Sequence, residues 1–240
     1  MQDKIYGRNT VLEALRGNIS INKIFIYKNI HKDKKIFDIL NLAREKGIPV
    51  QYVEKEWLNR ESNGKSQGIL AYISPIKYYT WDDILKSLNL SKDFIVVLDH
   101  VQDPQNLGSA IRTSEFGGAK ALVIPKTRSA QISSVVFKAS SGALSYLPIV
   151  RVSNISQFLK NLKEQGWFVV GADLDTDLLY NEIKYKFPLA LVIGSEGEGL
   201  HRVVKRECDI LVKIPKFGKI DSLNLSVALG ILIYKIRENL

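Results

Sequence analysis

Three polar, glycine-containing segments carry the side chains that could do chemistry in this chain. Each follows an apolar, strand-like stretch, and they lie at residues 100–112, 194–200 and 216–224. In an open α/β sheet, ligands bind at the carboxyl ends of the strands, where such loops meet. We therefore expect the three segments to form one composite site with hydroxyl, amide, carboxylate and guanidinium groups available for binding and proton transfer.

The third segment opens a helix that is otherwise almost entirely apolar. Ser222 has the chemistry of an N-cap and would leave its hydroxyl and the Asn224 amide at the mouth of that helix, beside the preceding strand. Residues 225–236 are apolar nearly all round, so one stripe packed on the sheet cannot cover them. The remaining face needs another partner, most simply a second copy of the chain.

The second segment contains Gly194, Gly197 and Gly199, whose spacing does not match the dinucleotide fingerprint. Glu196 and Glu198 would also repel a pyrophosphate. A cationic or neutral nucleoside suits the loop better, and S-adenosylmethionine meets this requirement because its sulfonium is positive and it carries no phosphate. By itself, the loop is also compatible with an ordinary glycine-rich turn.

The first segment contains Asn106 and Arg112, which lie on roughly opposite sides of a helix expected to begin near Pro104. Arg112 and Glu115 form an i, i+3 pair on that helix. Taken alone, the segment is compatible with a helix cap and a surface ion pair. The occurrence of all three segments in one chain favours a functional site. His100 is an alternative proton acceptor, although its position is typical of an ordinary loop residue.

The composition indicates a globular protein with a basic surface. Of its 240 residues 45% are hydrophobic, and the formal net charge is +9. This charge indicates a polyanionic partner such as nucleic acid, or simply serves solubility. No apolar run approaches the roughly 18 to 20 residues of a membrane span, and residues 1–8 show no secretory signal. We expect a soluble, cytoplasmic protein.

Metal binding is not expected from the sequence. The chain has one cysteine, Cys208, and three histidines, His31, His100 and His201, that are not clustered along it. We expect Cys208 to be buried without a reactive role.

Residues 1–74 are expected to form a small α/β unit. Thr10 and Glu13 have capping-box spacing for a first short helix. The further elements are strands at 23–27, 50–53 and 68–73 and helices at 33–46 and 55–60. Residues 75–93 are polar, contain one weak helix at 82–88 and are expected to be a linker.

Residues 94–240 alternate strands with helices. The strands are expected at 94–99, 121–124, 148–152, 167–171, 189–193 and 209–214, and the helices at 106–116, 131–140, 155–165, after Leu200 and after Ser222. Such alternation predicts a mostly parallel α/β sheet covered by helices on both faces.

The three segments resemble, in order, the motifs of the SpoU (TrmH-type) RNA 2′-O-ribose methyltransferases. The matching residues are 106–113 (NLGSAIRT), 193–200 (IGSEGEGL), and 214–215 (IP) with 222–226 (SLNLS). Residues 138–143 fit the family's helix between the first two motifs, and 5–15 with 67–69 look like its L30e-like N-terminal RNA-binding domain. The resemblance covers the whole chain. The chain differs from the family pattern at Ser66 and Lys216, where the family often has His and Met.

The resemblance implies the fold, the cofactor and the partners. The C-terminal domain would be a SPOUT-type parallel sheet with a deep trefoil knot, preceded by the L30e-like α/β domain, and the enzyme would be a homodimer. S-adenosyl-L-methionine would sit against the knot, contacted around Gly194, Ile214 and Leu223. No metal would take part, and the partner would be RNA, with neither DNA nor a membrane involved.

The resemblance also implies roles for five catalytic residues. Arg112 is the family's proposed base. A guanidinium stays protonated in proteins, so the alternative is an electrostatic role toward the target phosphate and the 2′-oxygen. Asn106 and Asn224 would orient the ribose and backbone. Glu196 would fix Arg112 or the loop, and Ser222 would hydrogen-bond near the target phosphate.

The nearest kin implied by the resemblance methylate a guanosine 2′-hydroxyl in the peptidyl-transferase P loop of bacterial 23S rRNA. The N-terminal domain of residues 1–74 favours this substrate, because the tRNA position-18 enzymes typically lack it. Enzymes that methylate an adenosine in 23S rRNA also carry such a domain and remain an alternative. A tRNA substrate, a non-catalytic RNA-binding module and a nucleotide-dependent metabolic enzyme are the other readings.

Overall fold

The computed structural model describes residues 3–17 and 19–240, and the chain divides into two compact units. The N-terminal unit combines the residues up to Lys77 with Ile132–Tyr146. The C-terminal unit combines Tyr78–Gln131 with Leu147–Leu240. The predicted N-terminal domain and the segment expected to lack a secretory signal both begin at Met1. Met1 and Gln2 lie outside the described residues.

Ten strands and nine α-helices are assigned within the described residues. In chain order they are β1 (Asp3–Tyr6), α1 (Arg8–Arg16), β2 (Ile21–Tyr27), α2 (Lys34–Glu45), β3 (Val50–Val53), α3 (Lys55–Ser62), β4 (Ile69–Ile73), α4 (Trp81–Leu85), β5 (Phe94–Asp99), α5 (Pro104–Phe116), β6 (Leu122–Pro125), α6 (Ser134–Ala139), β7 (Ile149–Val152), α7 (Ile155–Glu164), β8 (Phe168–Ala172), β9 (Leu189–Gly194), α8 (Arg202–Lys205), β10 (Ile210–Val212) and α9 (Leu225–Arg237). A 3₁₀ turn at Ala143–Ser145 follows α6.

The N-terminal unit is built on a mixed sheet with the strand order β1-β4-β2-β3. β4 is antiparallel to both β1 and β2, whereas β2 and β3 are parallel. Ile24 and Ile26 of β2 and Ile36 and Ile39 of α2 are fully buried. β1 was not among the strands expected from the sequence, because its four residues alternate too briefly to give a periodic signal.

The capping-box prediction for Thr10 is wrong. α1 begins at Arg8, and its N-cap is Gly7, which has a φ of 98° that glycine tolerates best. Thr10 lies inside the helix and is buried. The Arg8 amide donates instead to the side-chain oxygen of Gln67 at 3.2 Å. A cap supplied from 59 residues away leaves no local sequence signal.

The segment of α6 and the 3₁₀ turn packs within the N-terminal unit, on β1 and α1. The ammonium of Lys138 lies 5.0 Å from the centre of the Tyr6 ring, and the Tyr146 hydroxyl donates to Glu13 at 2.9 Å. The helix is shorter than expected at both ends, since Ser133 caps it and it stops at Ala139.

The C-terminal unit is built on six strands in the order β10-β8-β9-β5-β6-β7, and every neighbouring pair is parallel. All residues of the central strands β5 and β9 are buried. Strands that are buried on both faces appear in a sequence as continuous apolar runs, so the positions of β5 and β9 could be predicted well. The predicted fold class, an α/β parallel-sheet domain preceded by a small α/β domain, is confirmed.

The segment expected to be a linker contributes to the C-terminal core. Tyr79 forms a parallel bridge with Val150, and α4 follows it. The Trp81 ring packs edge-on against Phe158 at 5.2 Å and Trp167 at 5.5 Å between ring centres.

None of the helices in the described residues has the length and apolar character needed to cross a membrane.

Candidate functional site

A cavity of about 550 Å³ opens at the carboxyl ends of β8, β9 and β10. It is lined by the residues that end these strands, Ala172, Gly194 and Val212, and by the loops that follow them. Its volume lies within the range of ordinary small-molecule sites. The second and third polar segments of the sequence therefore meet at one edge of the sheet, as expected from the parallel topology.

Gly194 lets the loop after β9 fold back onto the end of its own strand. A Cβ atom at this position would lie 1.8 Å from the carbonyl oxygen of Gly199. The Gly199 amide donates to the carbonyl of Ser195 at 3.0 Å, which closes the loop. Because the obstacle is backbone, a larger residue at Gly194 requires the loop to move.

Glu196 connects this loop to the start of α9. Its Oε1 accepts hydrogen bonds from Asn224 Nδ2 at 2.7 Å and from the Leu225 amide at 2.9 Å. A carboxylate at a helix N-terminus also interacts favourably with the helix dipole. Asn224 Nδ2 lies 3.4 Å from Asn106 Oδ1, so residues of all three polar segments converge beside the cavity.

The N-cap predicted at Ser222 is wrong by two residues. α9 begins at Leu225, and Asn224 is the cap, its Oδ1 accepting from the Ser226 amide at 3.0 Å. Glu196 accepts a hydrogen bond from the Asn224 side chain and so holds it in place, which makes Asn224 a better placed acceptor than Ser222 for the first amides of α9. Ser222 is exposed in the loop that lines the cavity, as is Leu223.

The candidate residues fall into three groups. Five of them line the cavity, namely Gly194, Glu196, Ile214, Ser222 and Leu223. Asn224 is connected to the cavity by its hydrogen bond to Glu196, and Asn106 by its hydrogen bond to Asn224. Arg112 is exposed on α5, about 9 Å along the helix axis from Asn106 at 1.5 Å per residue.

Asp173 lies at the site but was not predicted from the sequence. It lines the cavity with its side chain only 5% exposed and accepts from the Leu200 amide at 3.1 Å. The Lys205 ammonium lies 2.7 Å from its other oxygen. The signal available in the sequence was its position directly after a strand, the same signal that identified the three segments.

The pKa of Asp173 is lowered even though burial acts to raise it, because Lys205 and the amides of Asp175 and Leu200 stabilise the carboxylate. A carboxylate with a lowered pKa in the folded state stabilises the protein above its unfolded-state pKa, near 3.9. This contribution is lost as the pH falls through the folded-state value. The pKa of Lys205 is raised, chiefly by its hydrogen bond to Asp173.

Two of the histidines, which are far apart in the sequence, lie together in the structure. Asp99 ends β5 with no exposed side-chain surface, and it contacts Nδ1 of His100. Its other oxygen accepts from the His201 amide at 2.8 Å and lies 3.0 Å from His201 Nδ1. His100 and His201 are 101 positions apart, and only the pairing of β5 with β9 brings them together.

Arg8, which contributed to the resemblance of the N-terminal unit, and Ser66, which departs from the family pattern, both make structural contacts. Arg8 forms an ion pair with Asp33 at 2.6 Å and donates to the Gln67 carbonyl at 3.3 Å. Ser66 is buried, and its hydroxyl accepts from the Gly68 amide at 3.2 Å. Ser66 therefore shapes the turn before β4.

Lys216, the second residue that differs from the family pattern, and Cys208 lie in the C-terminal unit. Lys216 pairs with Asp221 at 2.7 Å across the loop that lines the cavity. Burial raises the pKa of the Cys208 thiol to about 12, so it is not a nucleophile at neutral pH.

Comparison with known proteins agrees with this site. Residues 93–234, which include all three polar segments, match the model of the SpoU rRNA Methylase family. The chain belongs to this family. Residues 4–79 match a second model, described as RNA 2′-O ribose methyltransferase substrate binding. The chain is thus an RNA 2′-O-ribose methyltransferase of the TrmH type with an N-terminal substrate-binding domain.

Three relatives bear on its function. A Bacillus subtilis protein whose name places it in the TrmH family of tRNA/rRNA methyltransferases is 39% identical, covering 98% of this chain and 94% of its own. An rRNA methyltransferase from Sinorhizobium meliloti, also solved bound to AdoMet, has a TM-score of 0.81 at 26% identity, over 100% of this chain and 88% of its own. The A. aeolicus TrmH/SpoU tRNA modifying enzyme, at 28% identity and a TM-score of 0.56, covers 66% of this chain and 81% of its own.

Replacing Glu196 should loosen the start of α9. We expect Glu196→Ala to lower the free energy of unfolding by about 1–2 kcal/mol, because two donors lose a charged acceptor. Glu196→Gln should cost less, since its amide oxygen still accepts. Glu198→Ala, an exposed change in the same loop, should stay within about 0.5 kcal/mol of wild type. Urea denaturation followed by circular dichroism measures all three, and equal stabilities would contradict this role.

Proposed function

We propose that this protein transfers a methyl group from S-adenosyl-L-methionine to the ribose 2′-hydroxyl of a guanosine in the peptidyl-transferase P loop of 23S rRNA. The observation that carries the proposal is the convergence of Asn106, Glu196 and Asn224 at the rim of the cavity. The AdoMet complex of the Sinorhizobium meliloti relative supports the cofactor. A second RNA site, in tRNA or at an adenosine of 23S rRNA, is the alternative.

The cavity fits a cationic nucleoside better than a phosphate-bearing one. Helix N-termini bind phosphate through their free amides, but at α9 the Leu225 amide is taken by Glu196 and the Ser226 amide by Asn224. The charged side chains of the lining are acidic in slight excess, Asp173, Glu196, Glu198 and Asp221 against Lys213, Lys216 and Lys219. We propose that Gly194, Ile214 and Leu223 hold the cofactor, which when bound supplies an electrophilic methyl group on its sulfonium.

The chain's own residues would position the ribose and stabilise its oxygen. The reaction needs the 2′-oxygen about 3–3.5 Å from the methyl carbon and removal of the hydroxyl proton. Asn106 and Asn224 carry amides suited to orienting the ribose and backbone, and the exposed Ser222 hydroxyl suits the target phosphate. Arg112 would hold the phosphate and lower the basicity of the 2′-oxygen, while water or phosphate accepts the proton.

The N-terminal domain supports rRNA as the substrate. The rRNA methyltransferase of Sinorhizobium meliloti matches the whole of this chain, whereas the A. aeolicus tRNA enzyme matches two thirds of it. The substrate-binding model spans residues 4–79. The excess of basic residues in the chain suits a polyanion.

A strain lacking the gene tests the substrate. Primer extension at low nucleotide concentration should show the loss of one 2′-O-methyl stop in the P loop of 23S rRNA, and the wild-type gene should restore it. A stop lost instead at an adenosine or in tRNA would assign the alternative substrate. If no 2′-O-methyl group is lost from any RNA, the proposed activity is wrong.

Substitution of two glycines in the same loop tests the cofactor cavity. Gly194→Ala should reduce affinity for S-adenosylmethionine more than tenfold, because its Cβ meets the Gly199 backbone at 1.8 Å. Gly197→Ala should bind as wild type, because nothing lies within 4 Å of its Cβ. Isothermal titration without added metal provides the affinities. Equal binding by both variants would place the cofactor elsewhere.

We propose that the enzyme is a homodimer that uses the uncovered face of α9. Val227 and Tyr234, seven positions apart and so on one side of the helix, are 49% and 53% exposed. Val227→Asp should convert a dimer at micromolar concentration into a monomer in analytical ultracentrifugation. Gln157→Asp, at an exposed position of α7, should leave the dimer intact. A monomeric wild type would contradict the proposal.

Arg112 variants separate the electrostatic role from the role of base. If the guanidinium supplies charge, Arg112→Ala should raise the activation free energy by about 2.7–4 kcal/mol and Arg112→Lys by less. Higher pH should partly rescue Ala, because hydroxide replaces the solvent base. Single-turnover methylation with saturating cofactor measures these rates. A Lys variant as inactive as Ala, with RNA affinity unchanged in both, would exclude the electrostatic role.

A further inference from the structure

A carboxylate and two imidazoles meet at the carboxyl end of β5, outside the groups assigned to methyl transfer. One potential ligand atom from each of Asp99, His100 and His201 lies within 4.8 Å of the other two, and the two imidazole ring centres are 4.1 Å apart. Asp99 is fully buried, whereas the side chains of His100 and His201 are 22% and 38% exposed. The cluster therefore has a fixed inner side and a side open to solvent.

The backbone is shaped so that two consecutive residues contribute to this cluster. Side chains of successive strand residues point to opposite faces. His100 has a φ of 58°, which breaks the alternation directly after β5 and brings its Nδ1 to the Asp99 carboxylate. A histidine in this conformation is uncommon, and a glycine would adopt it at lower cost.

We propose that Asp99, His100 and His201 form a binding site for one divalent transition-metal ion. Two imidazoles and a carboxylate are the donors that zinc and its neighbours prefer, while magnesium and calcium prefer oxygen alone. Three protein ligands leave a further coordination position on the solvent side. To bind, each imidazole carries its proton on Nε2, so that Nδ1 is free to coordinate.

The ion would join the end of β5 to the loop after β9. Asp99 pairs with Gly194 in the sheet, and His201 follows the Gly194–Leu200 loop directly. The Asp99 carboxylate is already oriented by the His201 amide at 2.8 Å, which is the kind of outer hydrogen bond that fixes metal ligands. Metal binding at this point therefore stabilises the loop that lines the cavity.

Cobalt(II) absorption tests the site on the tag-free, full-length protein. Titration should give visible d–d bands that saturate at one ion per chain. No thiolate charge-transfer band should appear, because Cys208 is not among the clustered ligand atoms and burial raises the pKa of its thiol. Zinc should displace the cobalt and raise the thermal unfolding midpoint, whereas magnesium should do neither.

Three variants locate the ion. His100→Gly, which suits the φ of 58°, and His201→Gln should each weaken zinc affinity at least tenfold and abolish the thermal shift. His31→Gln is the matched control and should bind as wild type. Circular dichroism confirms that each variant is folded. Absence of cobalt bands in excess metal, or undiminished zinc affinity in both His100→Gly and His201→Gln, would overturn the proposal, and neither outcome bears on methyl transfer.

Discussion

The pair of hydrogen bonds accepted by one oxygen of Glu196 is the interaction on which the site depends. It ties the loop after β9 to the first turn of α9, through Asn224 Nδ2 and the Leu225 amide. The same Asn224 caps α9 and reaches toward Asn106 at the start of α5. Three segments that are up to 118 positions apart are thereby held within one hydrogen-bonded group.

This arrangement also bears on the proposed ligand of the cavity. A helix N-terminus at the edge of a parallel sheet is usually a phosphate site. Here the amides at that N-terminus already have acceptors, and the acceptor from the neighbouring loop is a carboxylate. A pyrophosphate at this helix N-terminus would find these amides occupied and would face the Glu196 carboxylate, which suits the proposed S-adenosylmethionine better.

The sequence predicted what depends on regular periodicity and failed where distant residues act together. The apolar runs of β5 and β9 located the parallel sheet, and the loops after its strands located the site. Thr10 was mistaken for a cap because the true partner, Gln67, comes from another part of the chain. Ser222 was mistaken for one because Glu196, from another part of the chain, holds the actual cap, Asn224. The His100 and His201 cluster was missed for the same reason.

Hydrogen exchange of the full-length protein, with and without S-adenosylhomocysteine, tests the central claim most directly. Mass spectrometry should show slower exchange in residues 193–200 and 213–226 when the ligand is bound. Exchange in the N-terminal sheet should not change, and Glu196→Ala should lose much of the protection in both segments together. Protection confined to another part of the chain, or protection of one segment without the other, would contradict a site held together by Glu196.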